Sequence, residues 1–589
     1  MWIPNLASLL LPVASLGGPT AGLPVEAGLL AALPAEASLV IHLPNPKALM
    51  ASRETNRWVG FATDAEWGRL LGPVLAAVGD DVTESEVAEW RERVLGALED
   101  STDLVGFATG LDDQEASLGL IVRGGEKTAA LLRLFIGGDA RVETIDGGHE
   151  VLLSAAGRAE LYYEFEGLIM VLSTPTVEGS KAVASGCLAS LAEGELPPLF
   201  LHKGIAERRR PGAAFEFALD LSDLTATEET GFDENGKLPI GGGSSADGMD
   251  KLMDELKTAA SSVQWVYGTG ELGLGETANW NLYAPFDSTS LIGKALGFFG
   301  EADKSLLAAA PAGSISATVG AFDINGFTRW ALDTTRKFSE DAYEQAMGGL
   351  SAAKSAVGVD LLEDIVGPMR GQFLGFSTAP STEQGGSLLA LTNVGSTTFI
   401  ALTEETDPLL DLFDSLLEMS GMGDTITNEQ FAVAGGTEEM ELWRSDASTG
   451  LPVTIGVGNG RLLISSDAAG SQAYLARMKG EEGVAALLDD KDLAGAVAGA
   501  SGAIITIQPT VAMADALEGL GAMMDSMNPE VWLPDQDMED GGDEEEAVLM
   551  TMTETMRNVA SLARQYFSGT TTSEFVIGDG IVELRTRSK

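Results

Sequence analysis

The sequence predicts an α+β chain of two tandem homologous copies, each mainly antiparallel sheet with helices packed on one face. Three observations predict it. Short stretches recur in the same order in the two halves of the 589 residues. Period-2 and period-3.6 hydrophobic patterns occur together in each half. Strand-like runs follow one another as hairpins at Gly, Asp and Asn turns without regular βαβ alternation, which argues against a doubly wound fold.

The recurrence starts at LPAEASLVIHL (33–43), a proline-led turn entering an apolar strand, matched by PAGSISATV (311–319). LVGFAT (104–109) resembles FLGFST (373–378), and LLRLF (131–135) resembles LLDLF (409–413). GLIMVLS (167–173) resembles GRLLISS (460–466), and AAFEFAL (213–219) resembles GAIITIQ (502–508). In both halves a helical run, 249–262 or 545–566, precedes a closing hairpin, 270–284 or 574–587. A repeat of this length sets the expected domains. Residues 33–306 are copy one, 307–589 are copy two, and 1–32 are a signal peptide and linker outside the fold.

Local patterns justify the elements. AELYYEFE (159–166) and EFVIGDGIVELR (574–585) alternate like strands with one buried face. TESEVAEWRERVLGAL (83–98) reads as a helix: Thr83 and Glu86 have capping-box spacing, and Val87, Trp90, Val94 and Leu98 share a stripe. Asp146-Gly147 and Asn459-Gly460 suit tight hairpin turns. Insertions at 231–248 and 529–546 fall at the same station of the two copies and are expected as exposed loops.

Charge and cysteine content bound the function. The net charge of −52 is spread along the chain and repels nucleic acid and anionic membrane surfaces. It suits a soluble protein, and a saline habitat or a cation-binding role would each account for it. The one cysteine, Cys187, permits no internal disulfide and sits in a helix-like stretch, where a small buried residue is the expected role. Leu6–Leu16 (LASLLLPVASL) is an apolar stretch of signal-peptide length, with Ser15 and Gly17 at spacing for cleavage, although MWIPN carries no Lys or Arg. It is too short to span a bilayer. The expected location is periplasmic or secreted, with the cytoplasm as the alternative.

Candidate chemical motifs each meet an obstacle. Gly268, Gly270 and Gly273 spell G-x-G-x-x-G, but LGETANWNLYAP follows as a strand where a dinucleotide site needs a helix, so a glycine-rich hairpin is expected. Asp535, Asp537, Glu539, Asp543 and Glu546 approach calcium-loop spacing, but Asp540 stands where the turn needs Gly. Eight of the 19 methionines lie between Met513 and Met556, as core filling or as a groove for apolar ligands. His42, His149 and His202 have no ligand spacing. Arg208-Arg209-Arg210, the only basic cluster, is expected as a surface turn rather than an anion site. No catalytic, cofactor-binding or metal residue is assigned, and no cofactor is expected.

GVDLLEDIVGPMRGQFLGFS (358–377) and GNGRLLISSDAAGSQAYLARM (458–478), with the LPAEASLVIHL opening, resemble the bacterial domain-of-unknown-function family 3352. The resemblance implies an exported or envelope-associated protein and brings no activity or site residue. The leading expectation is a non-enzymatic soluble extracytoplasmic bacterial protein, a binding or scaffold module. Its partner would be a protein or an apolar ligand, with no nucleic acid and no transmembrane segment. The alternatives are an apolar-ligand or lipid carrier using the Met-rich helices of 513–556, and an enzyme with an unrecognised carboxylate site.

Overall fold

Alternating apolar runs become strands wherever a tight turn lets the next run pair back, and twenty strands form among the described residues. The computed structural model describes residues 28–67, 84–110, 116–136, 139–154, 158–210, 212–222, 255, 262–378, 396–420, 425–434, 439–445, 453–481, 484–510, 514, 554–555 and 557–589. The described residues are 40% helical and 35% strand, so neither class dominates and the fold is α+β. The eighteen strand pairings with a defined register among these residues are all antiparallel.

The strands are β1 (Ala37–Leu43), β2 (Ser101–Thr109), β3 (Ser117–Gly124), β4 (Arg141–Ile145), β5 (His149–Ser154), β6 (Ala159–Phe165), β7 (Leu168–Thr174), β8 (Phe215–Asp220), β9 (Trp265–Leu272) and β10 (Ala278–Pro285). They continue as β11 (Ser314–Ala321), β12 (Met369–Thr378), β13 (Ser396–Thr403), β14 (Ile426–Ala432), β15 (Glu439–Ser445), β16 (Thr454–Gly458), β17 (Arg461–Ser465), β18 (Ile504–Pro509), β19 (Thr570–Gly578) and β20 (Ile581–Ser588). Two compact units share them. Unit 1 takes the described residues up to 222, then 262–286 and 581–589; unit 2 takes 287–580. The division thus falls at Phe286/Asp287 rather than 306/307, and β20 belongs to the first unit.

Unit 1 has the strand order β4-β5-β6-β7-β3-β2-β1-β8-β9-β10-β20. Unit 2 has β14-β15-β16-β17-β13-β12-β11-β18-β19. Two-residue turns with positive φ close the hairpins: Glu166-Gly167 between β6 and β7, and Asn459-Gly460 between β16 and β17. Both residues of such a turn lie in the left-handed region, which matches strand twist and explains the Gly.

Helices cover both sheet faces, which corrects the expectation of one. In unit 1, Val40, Val105, Ile121 and Met170 pack with Ala184 and Cys187 of helix α3 (Val177–Glu193). On the other face, Leu43, Leu104, Val122 and Val171 pack with Leu98 of α1 (Glu84–Asp100) and Leu132 of α2 (Glu126–Arg133). In unit 2, Leu374, Ile400 and Leu463 meet Tyr474 and Leu475 of α5 (Ala468–Met478), while Val457 and Leu462 meet Leu409 of α4 (Asp407–Ser420). The signal lay in runs such as LIMVL, apolar at both parities, which mark strands buried on two sides.

A second correction concerns the start of the fold. Gly28–Ala32, assigned by sequence to a linker outside it, forms a short 3-10 turn in which Leu29 and Leu30 are completely buried in the unit 1 core. Helix α1 matches the expected 83–98 within two residues at each end, and its stripe runs from half-buried Val87 to buried Leu98. Thr83, and the insertions at 231–248 and 529–546, lie outside the described residues. No described helix is long and apolar enough to cross a membrane.

Candidate functional site: a buried ion cluster

His42 is the polar exception in the apolar run LVIHL, and its face of β1 is the core face shared by Val40. Antiparallel register places Glu216 of β8 directly opposite it. Asp103, beside a bulge in β2, reaches the same point from the other neighbouring strand. His42 Nδ1 lies 3.0 Å from Glu216 Oε2, and His42 Nε2 lies 2.9 Å from Asp103 Oδ1. Arg209 clamps Glu216 with two N–H donors at 3.0 Å, and the Tyr267 hydroxyl donates to Glu216 Oε1 at 2.9 Å. The Leu29 amide donates to Asp103 Oδ2 at 2.9 Å, tying the buried Gly28–Ala32 turn to the cluster. Side-chain exposure is 7% for His42, 4% for Glu216 and 10% for Arg209, so these charges lie out of bulk water.

Protonation follows from the geometry. Ionised carboxylates only accept, so each ring nitrogen facing one must carry hydrogen, and His42 is an imidazolium. Burial alone pushes its pKa down; hydrogen bonds and charges from Asp103 and Glu216 outweigh that and hold it up at about 9. Burial pushes Glu216 up, but hydrogen bonds from His42 and Arg209 bring it down to about 2. The Tyr267 phenol is raised, first by burial and then by the Glu216 charge. A histidine with both nitrogens donating can neither accept a proton nor ligate a metal. The cluster as it stands is a neutral chain of alternating charges.

In unit 2 the same register is apolar. Thr318 pairs with Gly375 as Ile41 pairs with Gly106. The next residue, Val319, faces Ile505 where His42 faces Glu216. Both are fully buried. The sequence could have shown this contrast, since His42 and Glu216 sit in matched stretches whose counterparts carry only aliphatic residues there. Asp103 and Arg209 gave no such signal.

The remaining candidates are placed as follows. Cys187 is buried on α3, and burial pushes its thiol up to about 12. The nucleophilic thiolate is therefore suppressed. His149 meets the Tyr163 hydroxyl at 3.2 Å, and His202 accepts from the Gly204 amide at 3.3 Å while its ring leans on Trp265. The three histidines thus serve different places. Among the described residues no group of three or more His, Cys, Asp or Glu could hold a metal ion. The acidic loop 535–546 and Met513–Met556, apart from residues 514 and 554–555, lie outside the described residues.

Gly268 and Gly270 lie within β9 of the β9–β10 hairpin, so the glycine motif is a hairpin as its context required. Gly270 is needed for close approach, because a Cβ there would run into the Phe215 ring. At Gly268 the nearest atom to a Cβ is 3.5 Å away, ordinary contact. Gly270→Ala is expected to lower stability by about 1–3 kcal/mol, the usual range for overpacking, with Gly268→Ala much milder. Equal urea midpoints for the two variants would refute this. Comparison with protein-family models, with curated proteins and with solved structures returns no match.

Proposed function

We propose that the chain is two copies of one α+β module and acts as a non-enzymatic binding or scaffold protein, exported from a bacterial cell. Duplication is supported by strand order. β4-β5-β6-β7-β3-β2-β1-β8-β9 in unit 1 and β14-β15-β16-β17-β13-β12-β11-β18-β19 in unit 2 are the same path offset by ten strands. LLRLF and LLDLF fall at helices α2 and α4, and the other recurring short stretches fall on matching strands. Export is supported by the apolar stretch 6–16.

The observation that carries the binding reading is an apolar row on the sheet of unit 2. Phe399 and Ile464 pair directly across β13 and β17, yet are 38% and 41% exposed. The Phe373 ring lies 5.6 Å from that of Phe399. Large side chains left open side by side on a sheet face mark an interaction surface. The histidine and the thiol best suited to chemistry are both disabled by their surroundings, which speaks against the enzyme alternative. The same row gives the apolar-carrier reading its support.

A neutral, environment-sensitive dye such as N-phenylnaphthylamine tests the surface on the full chain. Dye fluorescence should rise on binding, and Phe399→Ser with Ile464→Ser should reduce dye affinity about tenfold or more, as two buried side chains are lost from the contact. Unchanged dye binding by a folded double variant would sink the reading.

A further inference from the structure

Arg209 turns into the core, but its neighbours go elsewhere. Arg208 lies with its guanidinium carbon 5.3 Å from the Tyr283 ring centre and donates to the Gly204 carbonyl at 3.0 Å. Its Nε is buried with no hydrogen-bond partner among the described residues. Glu583 of the neighbouring strand β20 stands directly opposite Tyr283 in the ladder, and it and exposed Arg210 both act electrostatically on the Tyr283 hydroxyl. Arg585, two residues along the same strand, holds Glu583 at 2.7 Å. The Glu583 carboxyl is held below its ordinary range: burial raises it, and Arg585, Tyr283 and Arg208 together bring it down.

Three guanidiniums therefore gather around one phenol and one carboxylate, all in unit 1. Across the chain the balance is the reverse, 88 acids to 36 bases. The adjoining cluster offers no relief, because Glu216 is already occupied by Arg209 and His42. Like charges gathered at partly desolvated positions are unfavourable unless an anion joins them. Guanidiniums present paired N–H donors that match two oxygens of one oxyanion. We propose that Arg208, Arg210 and Arg585, grouped around Tyr283, bind a small oxyanion, the phosphate or carboxylate group of a soluble ligand. This site lies in unit 1 and is independent of the apolar row of unit 2.

The test is titration calorimetry on the full chain with sodium phosphate and, separately, sodium succinate, ionic strength being held constant with sodium chloride. Saturable binding of either is the expected result; phosphate alone identifies a phosphoryl ligand, and succinate alone a carboxylate. Arg210→Gln should weaken binding about tenfold, the worth of one hydrogen bond to a charged group. Glu583→Gln, which removes the competing carboxylate, should tighten it. That opposite pair of effects separates a site from a merely structural cluster. No saturable binding of either anion, or equal affinities in the parent and both variants, would overturn the proposal.

Discussion

Glu216→Ala is expected to destabilise unit 1 by about 3–5 kcal/mol, the cost of leaving a buried charge without its partner. Two cations, His42 and Arg209, lose their shared carboxylate in that variant, and the Tyr267 hydroxyl loses its acceptor. Urea unfolding, with hydrogen exchange at β1 and β8 to locate the loss, reads the effect. The informative partner is His42→Val with Glu216→Ile and Arg209→Leu, which writes the Val319 and Ile505 solution of unit 2 into unit 1 and leaves one charge of the cluster, Asp103, which is 16% exposed and keeps its bond from the Leu29 amide. Exchanging a buried ion pair for packed aliphatic groups is often neutral or stabilising. The triple variant should therefore recover most of the loss. A single Glu216→Ala that unfolds at the parent midpoint would show that the cluster does not bear on stability.

The same cluster fixes a pH window. Glu216 falls from its ordinary 4.5 to about 2 in the fold, so its contribution is present above pH 4.5 and lost as pH falls through 2. His42 rises from 6.5 to about 9, so its contribution is complete below pH 6.5 and lost as pH rises through 9. A plateau between pH 4.5 and 6.5 follows, with each flank dropping by about 3 kcal/mol at 1.36 kcal/mol per pKa unit. Both flanks belong to one coupled pair, so the drops are two views of one interaction and do not add. General repulsion in a chain of charge −52 also grows with pH. The triple variant shares that background, and the difference between the two urea-midpoint profiles isolates the cluster. Parallel profiles from pH 3 to 10 would contradict the assignment.

How much of this was legible depends on the range of the interaction. The turn at Asn459-Gly460, helix α1 and the hairpin nature of the glycine motif are set by neighbouring residues, and a sequence displays neighbours. The two-faced burial of the sheet was also written in runs such as LIMVL, but periodicity alone does not say which side a helix will cover. Leu29 and Leu30 looked like linker because only their contacts with distant strands give them a core to enter. The ion cluster was hidden for the same reason: Asp103 and Glu216 are 61 and 174 residues from His42. Triplet Arg208–Arg210 shows the limit most plainly, since the middle of three identical residues turns to Glu216 while the outer two lie toward Tyr283.

Strand β20 has a consequence for how the chain comes into being. It pairs along all eight residues of β10, from Ala278↔Ser588 to Pro285↔Ile581, some 300 residues away in sequence. The ribosome makes nearly all of unit 1 first, yet that unit cannot be finished until residue 588 has left the exit tunnel. In the interval β10 presents an unpaired edge, an invitation to mispairing. Closing so long a connection adds little to its entropic cost, which grows only logarithmically, but it makes the last step of folding slow. The first half of the protein therefore waits for the second half to be translated, and a nascent-chain chaperone would find its substrate there.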